Sequence, residues 1–129
     1  MDLSTIAVDD KKVNGGVWWD FETKSECPNN VPHPSHGCLL ILPSFHRFRS
    51  VMDEERLPFM ASIRAGKLSP ADELIIRGRC LARGCIRGWA NISLRGKTLE
   101  YSEATAIEVF TNPQWEFLRI FVEAAKNQD

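Results

Sequence analysis

The chain has 129 residues, 43% hydrophobic and 26% charged, with a formal net charge of −1. That balance is ordinary for one soluble globular domain with a modest core, and a net charge so close to zero points to no particular class of partner. The sequence pI of about 6.3 lacks the strongly basic character of a general nucleic-acid binder.

Charge is unevenly placed along the chain. Residues 1–30 carry a net −3, residues 64–97 a net +6 and residues 100–129 a net −4. A basic middle between acidic ends favours head-to-tail contacts between copies. The N-terminus is acidic and has no apolar stretch of a secretory leader. The longest apolar run, Cys38 to Leu42, is far below the roughly 20 residues of a membrane span. A cytosolic chain is therefore expected, with Cys27, Cys38, Cys80 and Cys85 as reduced thiols.

Taken in order, Leu3 to Val8 reads as a strand, and Asn14-Gly15-Gly16 closes a polar turn. Val17 to Glu22 reads as a strand in which the adjacent Trp18 and Trp19 face opposite sides of a sheet. A loop over 24–37 follows, then the apolar strand Cys38 to Leu42. From Ser44 the spacing turns helical, with Phe45, Phe48 and Met52 on one stripe. Pro58 interrupts that helix; a short piece with Phe59, Met60 and Ile63 ends at Gly66.

Ser69-Pro70-Ala71-Asp72-Glu73 is a strong helix start: a hydroxyl cap, proline at the first position and acids facing the helix dipole. The expected inner face is Leu74, Ile75, Gly78, Leu81, Ala82, Cys85, Ile86 and Trp89, with Gly78 admitting a close neighbour. Arg77, Arg79, Arg83 and Arg87 lie away from it as a basic stripe. A hairpin is expected between Trp89 and Tyr101, turning at Arg95-Gly96-Lys97. Ser102 caps the next helix, which Asn112-Pro113 ends while starting another. In the last helix Glu116, Arg119, Glu123 and Lys126 form a polar stripe. Trp115, Leu118, Val122 and Ala125 make one apolar face, and Phe117, Ile120, Phe121 and Ala124 much of another. A surface helix needs one such face. Either this helix is sandwiched within the domain, or one face meets a partner.

The expected fold is α+β and mostly α: a single domain over 1–129, β-rich over 1–43 and mainly helical over 44–129. A small N-terminal antiparallel sheet packs on helices, with one short β-hairpin.

The run Trp89, Gly96, Leu99-x-Tyr101-Ser102 and the aromatic-rich Trp115 to Val122 resembles the tail assembly chaperone family of long-tailed, siphovirus-type bacteriophages. The resemblance implies a non-enzymatic protein of the host cytoplasm. Such a protein binds the long tape measure protein and tail tube subunits during tail morphogenesis, self-associates, and leaves before the virion is complete. The expected partner-binding residues are Trp115, Phe117, Ile120 and Phe121 on the last helix, with Arg77 and Arg83 facing an acidic partner. The alternatives are a minor structural tail or head–tail connector subunit of the virion, and a Zn-stapled adaptor or nucleic-acid-binding module.

Cys27-x5-His33-x2-His36-x-Cys38 offers the ligand types of a structural Zn site, but its spacing fits no common finger. An incidental loop is the expected reading, with no metal or other cofactor. Cysteine and histidine occur without a Gly-rich elbow, and Arg95-Gly96-Lys97-Thr98 lacks the glycine spacing of a phosphate loop. No catalytic residue is assigned, and neither membrane nor nucleic acid is expected as a partner.

Overall fold

The computed structural model describes residues 15–42 and 46–126. The expected strand Leu3 to Val8, most of the turn after it, Ser44 and Phe45 lie outside those residues. The fold is α+β and mostly α, as expected. Four antiparallel strands form one sheet: β1 (Val17–Asp20), β2 (Ser25–Glu26), β3 (Cys38–Ile41) and β4 (Ile86–Ala90), in the order β2-β1-β3-β4. Trp19 sits opposite Leu39, and Leu39 opposite Trp89. Side chains alternate across a strand, so Val17, Trp19, Leu39 and Ile41 share the face that joins the core. Trp18 faces the other way and is half-buried.

Helix α1 (His46–Arg56) runs into a 3-10 turn at Leu57–Phe59, where Pro58 breaks it as expected. The short α2 (Met60–Arg64) follows. The central α3 (Pro70–Gly84) starts where its cap predicts: the Asp72 N–H donates to Ser69 Oγ at 3.1 Å. Both α1 and α4 (Glu103–Phe110) pack along α3. The hairpin β5 (Ser93–Leu94) and β6 (Lys97–Thr98) turns on Arg95 and Gly96, both at positive φ, 53° and 79°. Positive φ at both central residues matches the twist of paired strands. A 3-10 turn at Pro113–Trp115 leads into α5 (Glu116–Lys126), with Asn112 Oδ1 accepting from the Gln114 N–H. One core cluster runs from Val17 to Ala125, so the β-rich and helical parts share it.

Three expectations are corrected. The helix expected to reach Trp89 ends at Gly84, and Ile86–Ala90 is the fourth strand of the sheet. Leu39 and Ile41 are buried on β3, and a buried strand needs partners for its backbone on both edges. β4 supplies one edge, and the Leu42 N–H donates to the Cys85 carbonyl at 2.7 Å to continue the pairing. The sheet is thus completed from the middle of the chain, and Trp89 belongs to it instead of to the hairpin. Secondly, α3 buries Ile76, Cys80, Leu81 and Ala82, while Ile75 is exposed. With helices on two sides, its buried arc is wider than one stripe and rotated from the expected one. Thirdly, β1 stops at Asp20, because Asp20 Oδ1 accepts from the N–H groups of Glu22 and Thr23 and turns the chain back into β2.

Candidate functional site

α5 turns only part of its polar stripe to solvent. Of the expected polar stripe, Arg119 and Lys126 are buried. Arg119 Nη1 donates to the Asn112 carbonyl at 2.6 Å and to the Phe110 carbonyl at 3.5 Å. It thereby satisfies backbone oxygens left over at the end of α4. Lys126 Nζ lies 4.1 Å from the centre of the Phe48 ring and 3.3 Å from Glu123 Oε2. Arg119 points inward because the short link after α4 puts its open carbonyls within its reach, whereas Lys126 is turned in over the Phe48 ring. Val122 and Ala125 bury beside them, and Leu118 packs on the core.

The second apolar face therefore looks outward. Phe117 is 51% exposed and Ile120 62%, with Ala124 exposed beside them. Trp115 and Phe121 are half-buried. The face continues onto the turn after β1 through a chain of ring contacts. Trp115 meets Phe117 at 6.0 Å, Phe117 meets Phe21 at 5.7 Å, Phe21 meets Phe121 at 5.1 Å, and Phe121 meets Trp19 at 6.4 Å. Ring edges and faces at these separations attract one another beyond simple area burial. The surface is thus a fixed aromatic ridge, held from below by Trp19.

Two open hollows flank the ridge. One, about 400 Å³, lies between Trp19, Phe121, Ala124 and the Lys24 side chain. The other, about 390 Å³, lies between Phe117 and Leu118 on one side and Trp89, Ile92, Leu94 and Leu99 on the other. Trp89 is fixed there by its indole N–H, which donates to the Leu99 carbonyl at 2.7 Å, and by the Tyr101 ring edge-on at 5.1 Å. Phe21 and Phe117 line both hollows. So the four expected partner-binding residues of the last helix lie on one side of the molecule, joined by Phe21, which sequence reasoning did not single out. The alternating pattern of β1 was the available signal: Trp19 and Phe21 share a parity.

The two arginines expected beside them are elsewhere and differ from each other. Arg77 is exposed on α3. Arg83 is bound within the chain, 2.6 Å from Glu55 Oε1 and 2.8 Å from Glu54 Oε2 on α1, with Arg79 2.7 Å from Glu55 Oε2. Burial pushes the Glu55 carboxyl up, but its hydrogen bonds to Arg79 and Arg83 outweigh that and hold it below its ordinary value. Much of the basic stripe is therefore spent on joining α1 to α3.

The four Cys and His side chains do not converge. Cys27 and Cys38 are both buried, with their sulfurs 3.7 Å apart. The His33 and His36 rings stack at 3.6 Å. His33 Nδ1 accepts from the N–H groups of Ser35 and His36. His36 Nδ1 donates to Asp20 Oδ2 at 2.9 Å, which raises its pKa above the ordinary 6.5. Burial pushes the Asp20 carboxyl up, yet the His36 bond and the N–H groups of Thr23 and Glu22 outweigh it and set it below 3.8. Among the described residues, Asp20, Glu22 and His36 place three metal-ligating atoms within 4.8 Å of one another, and neither cysteine belongs to that group. Asn91 Nδ2 donates to the carbonyls of His33 and His36, tying the loop to the end of β4.

Among the described residues no helix is long and apolar enough to cross a membrane. No family model, curated protein or solved structure matches this chain.

Proposed function

We propose that this chain is a non-enzymatic tail assembly chaperone of a long-tailed bacteriophage, working in the host cytoplasm. It holds the tape measure protein, and the tail tube subunits that polymerise round it, by covering apolar surface on them. The observation that carries the reading is the outward apolar face of α5, with Phe117 and Ile120 at 51% and 62% exposure on a ridge braced by Phe21 and Phe121. A solvent-facing apolar helix face continuous with fixed aromatic rings is a surface for another chain. The resemblance of the 89–122 run supplies the identity of that chain. Copies arranged head to tail would suit a long client, since contacts of that kind generate open arrays.

The test is co-expression with a tape measure protein of a long-tailed bacteriophage. The wild-type chain is expected to keep the client soluble and to elute with it. Phe117→Ser combined with Ile120→Ser is expected to lose the client while keeping the wild-type circular dichroism spectrum and a cooperative melt. A double variant that still carries the client would overturn the assigned surface. Recovery of the chain in stoichiometric amount from purified particles would overturn the chaperone role in favour of a structural virion subunit.

A further inference from the structure

The turn after β1 and the loop before β3 bring one imidazole up to two carboxylates. His36 Nδ1 lies 2.9 Å from Asp20 Oδ2 and 3.8 Å from Glu22 Oε2, and all three atoms fall within 4.8 Å of one another. Around a tetrahedral zinc ion, with ligand bonds of about 2.0–2.2 Å, neighbouring donor atoms stand roughly 3.4 Å apart. The separations from His36 lie on either side of that value, so shifts of about 0.5 Å bring them to it.

Two of the three side chains are held in place before any ion arrives. Asp20 is 5% exposed, and its Oδ1 accepts from the N–H groups of Glu22 and Thr23, which aims Oδ2 at His36. His36 is gripped on several sides. Its N–H donates to His33 Nδ1, its carbonyl accepts from Asn91 Nδ2, and the His33 ring stacks on its own at 3.6 Å. Ligands oriented by such a surrounding shell need little ordering when a metal binds. His33 stays out of the set, because its Nδ1 is occupied by the N–H groups of Ser35 and His36. Glu22 is the adaptable member, with its side chain 56% exposed.

We propose that Asp20, Glu22 and His36 bind one divalent transition-metal ion of the zinc class. The donor types select it: an imidazole suits zinc and its neighbours, whereas calcium and magnesium take oxygen ligands. Two carboxylate charges balance the two charges of the ion. The metal takes the place of the proton that His36 Nδ1 donates to Asp20, and the neutral ring carries its proton on Nε2 instead. This set differs from the Cys27, His33, His36 and Cys38 pattern of the sequence, since both thiols are left out and both carboxylates come from the end of β1 and its turn. Three protein ligands leave the fourth tetrahedral position to water or to a bound group. Glu22, Ser35 and Gly37 line the hollow beside Phe117, so the ion sits at the rim of that hollow. The inference is independent of what covers α5.

The experiment takes the untagged full chain, strips it with a chelator, and titrates it with Zn²⁺ in a calorimeter, with circular dichroism alongside. One ion per chain is expected for the wild type. His36→Gln and Glu22→Gln should each weaken binding by at least about tenfold, the lower end of what losing even an outer-shell partner costs. Glu22→Gln alters only an exposed side chain, so it tests the ligand even where His36→Gln disturbs the loop. Co²⁺ in place of zinc should give visible bands without a thiolate band in the near ultraviolet. No saturable binding by the wild type would overturn the proposal. So would a smaller fall in affinity in either folded variant, or a thiolate band that puts the ion on Cys27 and Cys38.

Discussion

Replacing Gly78 by alanine tests the central packing contact of the fold. Gly78 lies on the side of α3 that receives the end of α4. A methyl group on its Cα would sit 2.2 Å from the Phe110 carbonyl oxygen, 2.7 Å from the Phe110 carbonyl carbon and 2.9 Å from Thr111 Cα. All three are backbone atoms, so no rotamer change relieves the contact. The end of α4 must retreat by about 1 Å or more to restore van der Waals separation. The retreat also pulls on Arg119, which holds the Phe110 and Asn112 carbonyls. In an exposed helix, Gly→Ala stabilises by about 1 kcal/mol. Overpacking of a tight site costs about 1–3 kcal/mol, and a strained cap adds to it. The contact outweighs the propensity, and a net loss of about 2 kcal/mol is expected for Gly78→Ala. For a chain of this size that lowers Tm by roughly 8 °C. Urea unfolding followed by circular dichroism, with a thermal melt alongside, measures both. A variant as stable as wild type or more so would refute the reasoning, because it would mean that propensity decides at Gly78 and α4 does not approach there.

Arg119→Met keeps the length of the side chain but leaves the Phe110 and Asn112 carbonyls without their donor. A loss of about 1.5–3 kcal/mol in urea is expected, and a loss below about 0.5 kcal/mol would show that the cation is not a cap. The His36–Asp20 pair gives a two-sided pH dependence. His36 is raised above 6.5, so its contribution is complete below that value and is lost as pH rises through the folded pKa; Asp20 is lowered below 3.8, so its contribution is present above that value and is lost as pH falls through the folded pKa. Thermal melts between these limits and above them should show the alkaline loss in wild type and not in His36→Gln; equal profiles would sink the pairing. Glu55 is lowered below 4.5, so its link to Arg79 and Arg83 is present above that pH and fades on acidification through the folded pKa. Glu55→Gln should flatten that acid arm, and an unchanged arm would place the acid sensitivity elsewhere.

Local signals were legible where they act locally. Ser69, Ser102 and Asn112 all cap as their spacing predicts, since each needs only its own backbone two or three residues on. Gly78 was readable as a point of close approach because a helical glycine within an apolar stripe has few other uses. The end of α3 was not legible. Ile86 and Trp89 fit helical spacing as well as a strand, and only the open edge of β3, far away in sequence, decides between them. The burial of Arg119 and Lys126 was hidden for a similar reason. A charged residue reads as solvent-facing until its partners are known to lie within its reach: the carbonyls at the end of α4 for Arg119, and the Phe48 ring for Lys126. With Arg119 and Lys126 turned in beside Val122 and Ala125, the outward side of α5 is left with Phe117, Ile120 and Ala124, so the misreading of the stripe and the recognition of two apolar faces are connected.

Under the proposed function, the size of the exposed face sets how tightly one copy would hold a client. Half of a phenylalanine surface is roughly 100 Å², and Ile120 adds a similar area, so covering both gains about 5 kcal/mol at 25 cal/mol per Å². Bringing two bodies together costs about 4–15 kcal/mol before any ordering of side chains. One copy therefore grips weakly, even with the half-buried Trp115 and Phe121 included. A permanent structural subunit needs an interface on the order of 2,000 Å², much larger than this ridge. Many weak copies along one long client behave differently. Each bound copy raises the local concentration of the next if neighbours touch, and the whole coat releases in steps when another protein competes for the same surface. A small apolar ridge, repeated, thus suits the proposed role, in which the chain holds a long client and then leaves it, better than that of a subunit built to remain.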